Sequence, residues 1–219
     1  KNYFNFNFID KSLNDNFKYE GKINFVPFFS EIFGDIKKIN ASKIFNSEAI
    51  IVQLFKTQLL NNKNLNIDTI IKAKKIEPFN NLINLLLNFK IKEGLIDIND
   101  TKFSWSNNVD FKISDSLLYV KDNNLVLDGN IVIEIFNINE IYKFLKSPRN
   151  YRKEIEKIKL NFAYNFDQKV TTLNNIEIDG LVNQQVNQIL NEIISKDSLL
   201  QNRVYLKSLI NKALKSYAG

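Results

Sequence analysis

Four aspartates, Asp110, Asp115, Asp122 and Asp128, punctuate the middle of the chain, and two carboxylates at a suitable separation can share general acid and general base work. These four follow no clustered motif. Acids spaced through alternating strands face solvent as a rule, so the pattern predicts no catalytic pair and no enzyme. The 219 residues include no Cys and no His. That removes thiolate nucleophiles, disulfides, imidazole-ligated metals and any Ser-His-Asp triad. Carboxylates, Lys, Ser and Tyr are what remains, and no metal or cofactor signature is present among them.

The charge balance points outward. Thirty basic residues stand against 24 acidic ones, a formal net charge of +6 that favours contact with phosphates or phospholipid headgroups. The charges are interspersed, with no long basic run, which is also how an ordinary solvated face reads. One modest cluster, Lys146, Arg149, Arg152 and Lys153, reads as a helix end or a phosphate contact. Eighteen Phe and eight Tyr on a basic sheet could stack single-stranded nucleic acid, but the glycine-and-paired-aromatic signature of an RNA-binding sheet is missing, so nucleic acid is not expected. No apolar stretch approaches the roughly 20 residues of a membrane-spanning helix. The longest, 82–89, is broken by Asn84 and Asn88. The chain begins without Met, which reads as a processed product or a piece of a longer protein.

The elements that would carry these residues are mostly strands. Phe4, Phe6 and Phe8 alternate, Asn14, Asp15 and Asn16 make a polar turn, and Phe17, Tyr19, Gly21, Ile23 and Phe25 resume the alternation as a hairpin ending at Pro27. Residues 28–33 suggest a short helical turn followed by a turn at Gly34 and Asp35. A helix is predicted over 47–60, with Ser47 as N-cap and Ile50, Ile51, Leu54, Phe55 and Leu59 on one face. Leu65, Ile67, Thr69, Ile71 and Ala73 form another strand, and Pro78 opens a predicted helix over 80–89. Strands follow through Ile96 and Ile98, then Phe103 and Trp105.

From 109 to 180 the alternation is strict: Val109, Phe111, Ile113; Leu125, Leu127; Ile131, Ile133, Ile135; Ile158, Leu160, Phe162, Tyr164, Phe166; Ile176, Ile178. A helix at 139–152 interrupts it, and amphipathic helices are predicted over 181–194 and 200–217. Mid-strand Gly21 and Gly129 read as bulges or points of curl. The fold class is mainly β (α+β): eight to ten long strands in a curled antiparallel sheet forming an apolar groove, with a few short helices. Residues 1–180 form the groove domain and 181–219 the two C-terminal amphipathic helices that pack on it or cap it. The apolar face is either ordinary core sealed by helices or a groove for apolar ligands, because an uncovered face of this extent invites association.

The order of residues Leu127-Asp128-Gly129-Asn130-Ile131-Val132-Ile133-Glu134-Ile135, then Tyr142-Lys143-Phe144-Leu145, Arg149, Tyr151-Arg152-Lys153, and Asn174-Asn175-Ile176-Glu177-Ile178-Asp179-Gly180 resembles the C-terminal region of AsmA-like envelope proteins of Gram-negative bacteria. The stretch Asn61-Asn62-Lys63-Asn64-Leu65-Asn66-Ile67 and Gly94 before the Trp105 strand are similar to that family as well, so that the resemblance covers about two-thirds of the chain. It implies a periplasmic, repeating β-groove module whose full-length form is anchored in the inner membrane upstream. The implied role is phospholipid transport and outer-membrane biogenesis, with no catalytic residues. The expected lipid contacts, with phospholipid acyl chains as partner, are Phe111, Ile113, Ile131, Ile133, Ile135, Leu160, Phe162 and Tyr164. The alternative is a scaffold domain with a sealed sheet that docks an envelope protein.

Overall fold

The computed structural model describes residues 3–10, 17–44, 48–191 and 203–218. Its strands and helices follow in the order β1 (Tyr3–Asp10), β2 (Phe17–Phe25), β3 (Phe28–Asn40), α1 (Ala41–Ile44), α2 (Ile50–Lys56), β4 (Asn66–Glu77), β5 (Phe79–Lys92), β6 (Leu95–Asp97), β7 (Lys102–Trp105), β8 (Val109–Lys121) and β9 (Asn124–Ile135). After these come α3 (Ile138–Leu145), a 3-10 turn at Arg149–Tyr151, β10 (Lys157–Asn165), β11 (Val170–Ile178), β12 (Leu181–Val182), α4 (Gln184–Asn191) and α5 (Arg203–Ala218). All twelve strands belong to one long, curled, unclosed sheet in the order β1-β2-β3-β4-β5-β7-β8-β9-β10-β11-β12, with β6 attached to β5. The mainly β class and the curled sheet expected from the alternation are what the chain forms, with more strands than the eight to ten anticipated.

Short polar links make most neighbours antiparallel. Asp122 and Asn123 both have positive φ, 50° and 61°, the two-residue geometry whose twist matches the β8–β9 hairpin it joins. One junction departs from the antiparallel expectation. β3 and β4 pair in parallel, Phe29 beside Asn66 and Asn40 beside Glu77. Parallel neighbours need a long crossover, and residues 41–65, with α1 and α2, supply it.

Two predicted helical segments are strands instead. Residues 28–40 are the continuous strand β3, with Ile32, Gly34 and Ile36 on the apolar face and Glu31 and Asp35 opposite. The glycine that suggested a turn lies under the ring of Tyr19, where a Cβ would stand 2.7 Å from Cε1. Residues 80–89 lie within β5. Leu85, Leu87, Phe89 and Ile91 align with Ala73, Ile71, Thr69 and Ile67 of β4, and a positive φ at Asn84 (55°) marks where the pairing with β7 slips, between Ile83 and Leu86. That irregularity and the run of three leucines hide the period of two. The helix expected over 47–60 is shorter, Ile50–Lys56. Ser47, its expected cap, and the Asn14–Asn16 turn lie outside the described residues. Leu181 and Val182 pair with β11, so the following helix begins at Gln184, where the Asn183 side chain accepts the Val186 N–H at 3.0 Å. The ends of the two C-terminal helices expected at Ile194 and Leu200 also lie outside the described residues, as do the side chains of Tyr205 and Leu206.

Neither mid-strand glycine is itself a bulge. Gly21 stays in register between Phe6 and Ile32, and the ring of Phe6 crosses it, 2.6 Å from where a Cβ would be. Gly129 faces a bulge on the neighbouring strand, between Ser114 and Leu117, and a Cβ there would stand 2.9 Å from Ser116 Cα. Backbone cannot give way as a side-chain tip can. Gly129→Ala is therefore expected to destabilise the protein by about 1–3 kcal/mol, read as a lower urea midpoint with an unchanged slope.

Candidate functional site: an apolar sheet face

Residues paired across strands share a face, so the register assembles the site row by row. In the later half the rows are Val109–Ile135, Phe111–Ile133–Ile158, Ile113–Ile131–Leu160, Gly129–Phe162 and Leu127–Tyr164. All eight residues expected to contact lipid lie on this one face. In the earlier half the same face runs Phe8–Tyr19–Gly34–Ile71–Leu87, Phe6–Gly21–Ile32–Thr69–Phe89, and Phe4–Ile23–Ser30–Ile67–Ile91. Phe103 opposite Phe111, with rings stacked 4.7 Å apart, joins the halves. These rows were not read as part of the site: residues 28–33 and 80–89 were expected to be helical, and the β3–β4 junction that joins the rows to the later strands has no local signature.

Helices cover this face in two places. α2 lies on the end where β5, β8, β9 and β10 converge. Val52, 2% exposed, enters a cluster with Ile91, Ile96, Leu118, Leu125, Leu127, Ile113 and Phe162, while Phe55 meets Phe89 at 5.7 Å. Ile131, Leu160 and Tyr164 pack on its margin. A latch fixes α2 there: Lys56 Nζ reaches Asp167 Oδ1 at 2.5 Å, and Asp167 Oδ2 accepts the Leu125 N–H at 2.9 Å. Partial burial pushes the Asp167 carboxyl up, but the Lys56 ammonium and the Leu125 amide outweigh it and hold the group below its usual range.

The second cover is the helical cap on β9–β11. Ile138, Tyr142, Ile155, Ile176, Ile178, Val186 and Ala213 form its core, with Ile135 and Leu160 at the margin. Tyr142, 1% exposed, donates its hydroxyl hydrogen to the Lys153 carbonyl and accepts the Lys153 N–H at 3.0 Å, and burial raises its pKa. α5 is tied to α3 by Asn211 Nδ2 to the Leu145 carbonyl (2.9 Å), by Lys207 Nζ to the Phe144 carbonyl (2.7 Å) and by the Ser147–Asn211 hydrogen bond. The basic cluster near Pro148 is partly spent inside this cap: Arg152 donates to the Ser147 carbonyl from Nε and Nη2, and Lys153 Nζ to the Tyr217 carbonyl.

Between the covers runs a strip that belongs to none of the buried clusters among the described residues. It includes Phe6, Ile23, Ile32, Leu87, Phe111 and Ile133, half-buried, and it widens at β1, where Phe4 and Phe8 are 55% and 59% exposed. Of the eight expected contacts, Ile113 and Phe162 lie in the cluster beneath α2, whereas Phe111 and Ile133 lie in the strip. A third cluster, Ile36, Ile39, Ala73 and Ile76, closes the far end of β3 and β4.

The opposite face is mixed, with Phe33, Ile70 and Leu86 among charged and amide side chains, and the central aspartates sit on it or in turns. Asp110 accepts from Ser104 Oγ at 2.6 Å, Asp115 from Asn130 Nδ2 at 2.8 Å, and Asp128 from the Tyr119 hydroxyl at 3.0 Å. Each of these three carboxylates has its own partner. Among the described residues no group of three or more acids could hold a metal ion, and no helix is long and apolar enough to cross a membrane. No protein-family model, curated protein or solved structure matches the chain.

A depressed carboxyl in the folded state contributes stability that is present above its unfolded pKa, near 4, and lost as pH falls through the folded value. Asp167→Asn is therefore expected to lower stability by about 1–2 kcal/mol at pH 7. The deficit against the parent should close below about pH 4, checked by chemical unfolding across pH.

Proposed function

We propose that this chain is a non-enzymatic lipid-binding segment that holds phospholipid acyl chains along its apolar sheet face while the headgroups stay in water. The observation that carries this reading is the strip between α2 and the helical cap, where apolar rows cross strand after strand with no element laid over them among the described residues. Its lining of Phe, Ile and Leu, with few polar side chains, suits methylene chains and offers no clamp for a particular headgroup. Moving an acyl chain from a bilayer to such a face exchanges one apolar surround for another. Little free energy is gained, which suits passage more than storage. A place in phospholipid transport and outer-membrane biogenesis, in the periplasm of a Gram-negative envelope and anchored to the inner membrane through a longer chain, rests on the resemblance to AsmA-like proteins.

The alternative, a scaffold domain that docks an envelope protein, is favoured by the extent of the covers: α2 and the cap close much of β8–β11.

Native mass spectrometry with lipid extraction separates the two readings. The purified chain from a Gram-negative host is expected to carry phospholipid at a defined stoichiometry. Phe8→Asp combined with Ile133→Asp, both on the strip, is expected to lose at least about tenfold of that lipid while unfolding cooperatively, since tenfold corresponds to 1.4 kcal/mol and a buried methylene to about 0.8. Phe162→Asp, beneath α2, is expected to unfold the protein instead. A lipid-free parent chain, stable without detergent, would count for the sealed scaffold.

A further inference from the structure

The two edges of the sheet are treated differently. At one end β11 is guarded: β12 pairs with Glu177 and Ile178, and the Ile176 N–H donates to Asn187 Oδ1 of α4 at 2.8 Å. At the other end β1 pairs with β2 along its whole length and, among the described residues, with no other strand. An outer strand of eight residues presents about four N–H and four C=O groups sideways, a template for another strand. Proteins blunt such edges with Lys, Pro, Gly or bulges. From Tyr3 to Ile9 there is no charge, no Pro and no Gly, and the pairing with β2 is without a register shift. Tyr3, Phe4, Phe8 and Ile9 are each about half exposed, 47% to 59%.

The sequence of β1 then selects its partner. Phe4-Asn5-Phe6-Asn7-Phe8 reads the same in both directions. Laid antiparallel against itself about Phe6, it sets Phe6 opposite Phe6, Phe4 opposite Phe8 and Asn5 opposite Asn7. Every Phe meets a Phe and every Asn an Asn. A slip of one residue would put the apolar face of one copy beside the polar face of the other, and a slip of two toward the C-terminal end would bring Asp10 onto Phe4. We infer that β1 is a self-pairing edge through which two copies of this chain join antiparallel about Phe6. A two-fold axis perpendicular to the sheet keeps both apolar faces on one side, so the strip of one copy continues into the other. The inference stands whatever that face holds.

One strand edge is smaller than the roughly 800 Å² per partner of a standard interface, so the dimer is expected to have a dissociation constant on the order of micromolar. The chain has no Cys, which allows a clean test. Phe4→Cys and Phe8→Cys are each surface changes. A short bis-maleimide is expected to cross-link an equal mixture of the two variants at least about tenfold more than either alone, because cross-strand Cβ atoms are about 5 Å apart only in the Phe4–Phe8 pairing. Sedimentation adds a second readout. Asn5→Lys with Asn7→Lys, and separately Asn5→Glu with Asn7→Glu, should each shift the parent's dimerisation to at least about tenfold higher concentration, and mixing the two should restore it. A parent chain that stays monomeric at about 100 micromolar, or cross-linking that ignores position, would overturn the inference.

Discussion

The parallel pairing of β3 with β4 is the constraint on which the rest of the structure depends. β3 ends at Asn40 beside the last residue of β4, so the chain must return along the whole strand, about 40 Å at 3.3 Å per residue, before β4 can start. The return crosses one face of the sheet, and Val52 and Phe55 of α2 make that face the apolar one. A hairpin at this point would have left β5, β8, β9 and β10 without a cover. The crossover therefore both extends the sheet toward β1 and closes its lower end, and the Lys56–Asp167 latch holds the closing helix to a turn more than a hundred residues away.

Among the described residues, two covers of limited length lie on a sheet of twelve strands and leave part of its apolar face without a helix. Val52 and Tyr142 are almost fully buried, whereas Phe4 and Phe8 at the free edge are more than half exposed. An exposed apolar surface of this kind lowers its free energy by taking on an apolar partner. For the strip the partner is argued to be an acyl chain. For the edge strand it is argued to be the same strand of a second copy. Both readings follow from one feature: among the described residues the helices cover less of the apolar face than the sheet presents.

Much of this was legible in the sequence where the information is local. Alternation at Phe111, Ile113, Ile131, Ile133, Leu160 and Phe162 gave the face within each strand, because parity decides facing; the Asp122–Asn123 turn sets the pairing near the hairpin, and the bulge between Ser114 and Leu117 shifts it by one residue to bring Phe111 opposite Ile133. The strands β3 and β5 were hidden by local exceptions. Gly34 accommodates the ring of Tyr19 instead of turning the chain, and Asn84 shifts the period within a leucine run that imitates a buried helix. Which contacts are covered was not legible. Ile113 and Phe162 lie under residues 50–56, and that placement follows from the parallel junction, a nonlocal event with no turn residue to announce it. Asp167 likewise gave no sign in the sequence of its role opposite Lys56.

Trp105, the only tryptophan, offers the most direct test of an acyl chain on the apolar face. It shares that face through the pairs Trp105–Val109 and Val109–Ile135, partly buried and edge-on to Phe144 at 5.3 Å. The measurement is its fluorescence with phospholipids brominated along the acyl chains, against the same lipids unbrominated. The account predicts quenching by the brominated chains at near-stoichiometric lipid and none by the unbrominated ones. Emission that stays unchanged with both, while the lipid is shown to be bound, would place the chains elsewhere and contradict it.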